Sequence, residues 1–393
     1  MEWQLTKEQE NFLNEINNFI KEEPPGDFPI EMSDEWYGEG AWSYEYLRRL
    51  GAKGWLSLTW PVEYGGQGKS EMFEYILKHE MAYHRAPIAA NMYNGFVARC
   101  LIKYGSKRLK DEFLPRMARG EISFCQGYSE PEAGSDLFAL KTTAVERDDN
   151  YVINGQKVWT GAAHLAHYIF ILARTDPDAP RHLGLSSFIV DLKTPGVTVR
   201  PLANMLGHSE LNEVFFDDVK VSKDYLIGEK NKALKQLLIG FEGDRFWGRC
   251  VKAPLCKRLI EELVEFVKEE RQGTASLSEV SLIQHRLAEL TIETEICDLL
   301  FYKIIQMMDR GLPITYEISA AKVFADELGQ KVANIGMQIL GLYGPLKDDS
   351  RWCQLNGDFA RLSIHSYGHT LAGGSSEMER NTVATRGLGL PRQ

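Results

Sequence analysis

Cysteine is scarce and placed for neither of its two common structural uses. Cys100, Cys125, Cys250, Cys256, Cys297 and Cys353 include no C-x-x-C pair, so neither a zinc site nor a disulfide framework is indicated, and no metal is expected. Positive charge is also in deficit, with 45 Lys and Arg against 55 Asp and Glu and a formal net charge of -10. That balance excludes the basic face on which a nucleic-acid partner normally rests. The chain lacks the apolar run of about 18 residues that a membrane span needs, and it has no charge block long enough to mark a disordered tail. Internal repeats and low-complexity tracts are missing too. Its opening, "MEWQLTKEQENFLNEI", is acidic and amphipathic where a signal peptide needs a basic end and an apolar core, so the expected location is cytoplasmic. What is present is 393 residues, 44% hydrophobic and 25% charged, enough to bury a large core and divide into two or three domains.

The texture of the chain changes twice. From Leu5 to about Arg119 the apolar spacing is helical, broken by "EEPPGDFP" and by the glycine-rich "TWPVEYGGQG" at 59 to 68. Between about Ile122 and Ile227 the period becomes two. "YVINGQKVW" carries an Asn154-Gly155 pair that reads as a hairpin turn, and "YIFILAR", "SSFIVDL", "VTVRPL" and "EVFFDDVKV" follow as short strands. From about Asn231 helical spacing returns. Leu259, Leu263, Phe266 and Val267 share one face, as do Leu300, Ile304, Met307 and Met308.

Three stretches carry chemistry. "CQGYSEPEAGSD" at 125 to 136 places hydroxyls, acids and small residues in a loop at the edge of the strand-rich region. "KVWTG" puts the broad π face of Trp159 beside the Thr160 hydroxyl, a pairing suited to stacking on a flat cofactor and bonding its polar edge. "GHTLAGGSSEMER" at 368 to 380 joins a Gly-Gly-Ser-Ser turn to a helix expected to start near Ser376, with Ser375 or Ser376 as its cap.

The series "WPVEYGGQG", "GYSEPEAGSD", "INGQKVWTG", "QILGLYG" and "AGGSSEMERNTVATRGLGLP", in this order over nearly the whole chain, resembles the acyl-CoA dehydrogenase flavoproteins. The resemblance implies an α+β multidomain fold: an N-terminal helical domain at 1–121, a central β-barrel domain at 122–230 and a C-terminal four-helix bundle at 231–393. It implies FAD as cofactor, an acyl-CoA thioester as substrate and an electron-transfer flavoprotein as acceptor. Carried over by position, Gln126, Tyr128, Ser129, Trp159 and Thr160 lie along the flavin, and Ser135 near the acyl-CoA. Relatives form homodimers or homotetramers in which a neighbour completes the FAD site. By that analogy Gln338, Gly341, Ser375 and Glu377 contact FAD bound by another subunit.

Two departures from the family pattern stand out. Dehydrogenation needs a carboxylate to take the α-proton. Many members carry that glutamate in the glycine loop, at the position that is Gly373 here. Others place it before an arginine on the first helix of the last domain, which matches Asp244-Arg245 in "LLIGFEGDRFWGR". Glu242 lies two positions away, about 200° around a helix, and is spaced to pair with Arg245. Asp244 is therefore the expected base, with Arg245 and Gly373 beside the substrate. The family's "R-x-x-F-G" run, which holds the FAD diphosphate across the dimer, is reduced to Arg271. Some bacterial members form α2β2 assemblies with shared, incomplete sites. The expected activity is α,β-dehydrogenation of an acyl-CoA, with the vacancy at 373 leaving room for a branched, cyclic or polycyclic acyl group. The alternatives are an oxidase or monooxygenase on the same fold, since nitroalkane oxidases of this superfamily also use an aspartate, or a non-catalytic subunit of a hetero-oligomer.

Overall fold

The computed structural model describes residues 4–30, 41–269, 271–272 and 275–392, with the side chains at 90, 92, 239–244, 271–272 and 275–276 outside that description. Helix α1 (Lys7–Glu22) opens with a capping box: the Thr6 hydroxyl accepts from Gln9 N–H, and the Gln9 side chain accepts from Thr6 N–H. Phe12, Ile16, Phe19 and Ile20 form its buried stripe. The helix stops before Pro24, and Pro25–Asp27 makes a single tight turn. Helices α2 (Tyr44–Ala52), α3 (Glu71–Tyr83), α4 (Ala89–Tyr104) and α5 (Lys107–Ala118) complete the N-terminal region.

Eight strands follow: β1 (Phe124–Gly127), β2 (Thr143–Arg147), β3 (Asn150–Gly161), β4 (Tyr168–Arg174), β5 (Leu185–Asp191), β6 (Val197–Leu202), β7 (Leu211–Ser222) and β8 (Leu226–Ile227). They form one sheet in the order β6-β7-β3-β2-β4-β5-β8, with β1 added parallel on β4. The barrel implied by the resemblance is not closed: the ladder ends at β6 on one edge and β8 on the other. On one side of β4, β1 pairs Tyr168 to Ile171 and β2 keeps a single paired position, Thr143 opposite Arg174.

The Asn154-Gly155 turn is a further correction, because both residues lie inside the long strand β3. The hairpin instead closes at Asp148-Asp149, with Asp148 at φ 49. Asn154 is held across the sheet by reciprocal bonds with Asp218, at 2.8 and 3.0 Å, and Gly155 lies where a Cβ would sit 2.4 Å from the Thr142 hydroxyl oxygen. An unfolded chain shows no sign of that close approach, so the dipeptide signal for a turn loses to tertiary packing.

The last region contains α6 (Ala233–Trp247), α7 (Lys252–Glu269), a ribbon of β9 (Arg271–Gln272) and β10 (Ala275–Ser276), then α8 (Ser281–Asp309), α9 (Glu317–Leu340), α10 (Asp358–His369) and α11 (Ser376–Thr382). Leu259, Leu263, Phe266 and Val267 are all buried on α7; on α8 Ile304 is buried while Leu300, Met307 and Met308 are half-buried at the edge of the core. The largest apolar cluster runs from Phe12 and Trp55 through Phe246 and Leu263 to Phe301 and Phe359. The N- and C-terminal helices thus share one core, and the sheet adds its own interior around Ile153, Phe188 and Val219. Among the described residues no helix is long and apolar enough to cross a membrane.

Among the polar contacts that join the N- and C-terminal helices, one cluster holds a titratable imidazole. His79 on α3 lies between Asp298 of α8, 3.5 Å from Nε2, and Glu80, 3.4 Å from Nδ1; Asp298 also accepts from the Tyr75 hydroxyl at 2.6 Å. Burial pushes the imidazole down, but the bonds to both carboxylates and their charge outweigh it, and the His79 pKa rises to about 9. A group raised in the folded state stabilises fully below its unfolded value near 6.5 and loses that contribution as pH passes the folded value. The α3–α8 contact should accordingly weaken between pH 7 and 10. Thermal unfolding compared at pH 6 and pH 10 should show a larger drop for the parent than for His79→Gln; equal drops would remove His79 from this role.

Candidate functional site

Strand β3 builds one wall of the site. Its pairing with β7 slips between Lys157 opposite Val214 and Thr160 opposite Asn212, so one extra residue bulges out. Trp159 sits in that bulge at φ 60, with its side chain 62% exposed. A large indole held outward in a strained backbone conformation is what a stacking platform requires. Next to it Thr160 turns inward; its hydroxyl is buried and makes no hydrogen bond. Across on β1 the Gln126 amide nitrogen is buried and likewise without a partner. Two orphaned polar atoms beside an exposed aromatic face are the complement of a flat ring with hydrogen-bonding edges, so the residues present fit the isoalloxazine expected there. Tyr128 is half-buried against Phe96 and Phe170, at ring separations of 5.9 Å each. Ser129 accepts from Val158 N–H at 2.9 Å through its carbonyl. Ser135 is exposed in the loop beyond.

The glycine loop is the second wall of the candidate site. Gly373 and Gly374 adopt φ 66 and 100, and Ser375 caps α11, accepting from Met378 N–H at 3.4 Å. Two arginines hold this loop from behind. Arg245 Nε donates to the Gly373 carbonyl at 3.2 Å while its Nη2 pairs with Glu379 Oε1 at 2.8 Å. Arg249 donates to the Ala372 carbonyl at 3.1 Å and to Asp326 at 3.1 Å. Asp326 also takes Lys322 at 2.7 Å, and Glu379, Asp326 and Lys322 are all buried. Asp244 and Glu242 stand on the same helix just before Arg245, but their side chains lie outside the described residues, as does that of Arg271 on β9.

A polar seam joins the two walls. Asn212 donates to the Thr160 and Glu210 carbonyls at 2.9 and 3.1 Å, and Ala162 N–H to the Glu210 carbonyl at 2.7 Å. The Glu210 carboxylate faces His365 of α10 at 3.8 Å. One turn on, His369 lies 3.3 Å from Lys252, and its carbonyl accepts from Lys322 at 3.5 Å. Burial first, then the cations Lys252, Arg249 and Lys322, hold His369 well below the ordinary imidazole range, and burial lowers His365 despite Glu210. Both rings are neutral at physiological pH.

The structure brings Gln126, Tyr128, Ser129, Trp159 and Thr160 together, and separately Arg245, Gly373 and Ser375. Glu377 is exposed on the first turn of α11. Gln338 and Gly341 are elsewhere, on the outer face and end of α9, where Gln338 accepts from Arg286 over a depression of about 450 Å³ that Glu289, Gln330 and Lys331 also line. Sequence reasoning did not find Arg249, Asp326, Glu379 or the seam through Glu210 and His365. The available signal was His365 and His369 at i, i+4 on one helix face. Arg249 stands 77 positions from Asp326 and 123 from Ala372, and Glu379 stands 134 (379 − 245) from Arg245, separations that no local pattern reveals.

The three domain models of the acyl-CoA dehydrogenase family match this chain in order: the N-terminal domain over residues 6–121, the middle domain over 125–219 and the C-terminal domain over 235–388. The acyl-CoA dehydrogenase FadE26 of Mycobacterium tuberculosis is 34% identical over 365 residues, covering 91% of this chain and 90% of that protein. Among solved structures, the "Tcur3481-Tcur3483 steroid ACAD" superimposes with a TM-score of 0.89 at 30% identity, covering 100% of both chains. The ChsE4-ChsE5 complex from Mycobacterium tuberculosis does so with a TM-score of 0.87 at 30% identity, again over 100% of both.

The loop geometry depends on Gly374, where a Cβ would lie 2.2 Å from Glu379 Oε1. Gly374→Ala should displace that carboxylate from Arg245 and strain a left-handed residue, costing about 1–3 kcal/mol. Chemical denaturation measures this; an unchanged midpoint would show that the loop is not held as described.

Proposed function

The chain belongs to the acyl-CoA dehydrogenase family, whose members are generally FAD-dependent, and is an oxidoreductase acting on acyl-CoA; we propose that it dehydrogenates the α,β bond of a branched, cyclic or polycyclic acyl thioester with Asp244 as base. The observation that carries this reading is the loop at 373. Where many relatives place a glutamate, this chain has a glycine in left-handed conformation whose carbonyl is tied to Arg245. A side chain in that conformation costs roughly 1–2 kcal/mol, so the loop is built without a carboxylate there and leaves the acyl pocket wider. The steroid substrate class named for a structural neighbour supports a polycyclic acyl group. The base must then come from another element, and α6 presents Asp244 immediately before the arginine that grips the loop.

In this reading Asp244 accepts the α-proton as the electron pair of that C–H bond forms the new double bond. FAD, when bound, supplies the acceptor for the hydride leaving the β-carbon. Trp159 provides the stacking face, and Thr160 and Gln126 supply edge contacts whose buried polar atoms otherwise have no partner. Arg245 acts on the loop and α11, positioning Gly373 rather than reaching substrate. Ser135, exposed at the mouth, meets the CoA portion. Domain boundaries at 121 and 230 separate the three units, and the protein is cytoplasmic.

The assembly proposed is an α2β2 hetero-oligomer with a related chain, with a homodimer or homotetramer as the alternative. Two solved neighbours are two-component proteins by name. On this chain Ile292, Ile296 and Leu299 form an exposed apolar stripe along α8, with i, i+4, i+7 spacing. The depression beside Gln338, with Gly341, Arg271, Ser375 and Glu377, would meet FAD held by the neighbour, and an electron-transfer flavoprotein would take the electrons.

Asp244→Asn keeps shape and hydrogen bonding but cannot take a proton. Flavin and thioester should still bind while the rate of flavin reduction falls about 10² to 10⁴-fold; Glu242→Gln should leave that rate within a few-fold. Stopped-flow bleaching decides, and the reverse ranking would move the base to Glu242. Trp159→Ala should loosen FAD or shift its visible spectrum, and an unaltered spectrum and FAD content would take Trp159 out of the site. Oxygen consumption by the parent without any acceptor protein would instead favour an oxidase on this fold.

A further inference from the structure

Lys157 is the most fully buried charged side chain in the sheet, with nothing of it exposed. Its Nζ donates to Glu130 Oε1 at 2.8 Å and to the Tyr128 carbonyl at 3.1 Å. Glu130, also buried, accepts from the backbone N–H groups of Thr142 at 2.9 Å and Lys141 at 2.5 Å. The carboxylate therefore gathers both ends of the segment between β1 and β2 onto one ammonium. Val158 N–H adds a bond to the Ser129 carbonyl at 2.9 Å, and Glu130 and Ala133 exchange reciprocal backbone bonds at 3.0 Å. On β1, Gly127 leaves the room: a Cβ there would lie 3.3 Å from Lys157 Cγ and 2.8 Å from Ile169 Cδ1. Two residues after Lys157 comes the Trp159 bulge.

A surface pair would contribute little, and a buried one is often no better for stability than apolar residues of the same shape. What this pair supplies is register. It fixes the segment carrying Tyr128 and Ser129 against the strand carrying Trp159 and Thr160. We infer that Lys157 and Glu130 are positioning residues that lock the 128–142 segment to the β3 bulge and thereby set the shape of the flavin-facing wall. The inference rests on the proposed placement of the flavin at that wall. Neither residue touches the expected ring position; both act through the backbone they hold. The charged state strengthens the lock, because an ammonium gives the buried carboxylate a charge-assisted bond and a counter-charge that a neutral amine lacks. Burial draws Lys157 down to about 8 while Glu130 opposes the shift, and Glu130 itself is held below its usual range chiefly by Lys157, against burial.

The test uses the full chain with Lys157→Met, which keeps most of the length and the apolar volume, and Glu130→Gln, which keeps the shape and one of the two acceptor oxygens that Thr142 and Lys141 use. Amide hydrogen exchange is followed at Lys141, Thr142 and Val158, and FAD affinity and the visible spectrum are measured on the same samples. Lys157→Met should speed exchange at these three amides by about 10-fold or more and weaken FAD by a similar factor, with a changed flavin spectrum. Glu130→Gln should give intermediate values. Unchanged exchange in Lys157→Met would overturn the lock. Faster exchange with unaltered FAD affinity and spectrum would overturn its link to the flavin wall. If Lys157→Met yields no folded protein, Glu130→Gln decides by the same two measurements. A parent that binds no FAD refutes the proposed flavin site, while the exchange pattern still judges the lock by itself.

Discussion

The site depends on how two arginines, Arg245 on α6 and Arg249 in the turn just after it, grip the backbone of the glycine loop. Arg245 and Arg249 each place one bond on a carbonyl, at Gly373 and Ala372, and another on a buried carboxylate, Glu379 and Asp326. Charges this deeply placed are costly to desolvate, and breaking such a pair by removing one member typically costs about 3–5 kcal/mol. The fold accepts that cost where it fixes a loop that has no side chain of its own to anchor it. Because α6 also carries Asp244, the grip ties the helix of the proposed base to this loop. The glycines are the condition for this: Gly374 lets the Glu379 carboxylate approach the chain, and Gly373 turns its carbonyl back toward the helix.

From that grip the rest of the architecture follows outward. Asp326 binds Lys322, Lys322 reaches the His369 carbonyl, and α10 brings His365 to Glu210 at the start of β7. Glu210 and Asn212 hold the backbone of Thr160 and Ala162 at the end of β3. One continuous path of polar contacts and helix backbone therefore spans from the glycine loop to the Trp159 bulge, crossing from helices to sheet. The neutral imidazoles within it keep the path from accumulating further positive charge beside four cationic side chains. The Lys157–Glu130 lock finishes the wall on the other side of the bulge.

Much of this was legible in the sequence, for definite reasons. β4 and β6 coincide with "YIFILAR" and "VTVRPL" because their apolar periods stand between clear breaks. Ser375 was one of two candidate caps and is the cap, since a hydroxyl before a helix is a local signal. Trp159, Thr160 and the acidic loop were singled out through ordered motifs, and the structure places Val158 against the Ser129 carbonyl of that loop. The turn at Asn154-Gly155 failed because Asp218 and Thr142, distant in sequence, decide that backbone. The barrel expected from the resemblance is seen as a sheet that is not closed, because β6 and β8 at its edges are not paired with each other, a long-range pairing that no local pattern encodes. Arg249, Asp326 and Lys157 were invisible for the same reason: a buried ion pair is defined by its partner, and the partner here is remote or looks like any surface charge.

The central claim is that this loop, emptied of its carboxylate and held by arginines, admits a bulky acyl thioester for flavin-dependent dehydrogenation. The direct measurement is an anaerobic titration of the flavin-loaded protein with straight-chain and polycyclic acyl-CoA thioesters, followed at the visible flavin band, alone and with a candidate partner chain. Bleaching by polycyclic thioesters at concentrations where straight-chain ones leave the band intact is the predicted result. Bleaching by short straight chains alone, or by no thioester in any assembly, would contradict it.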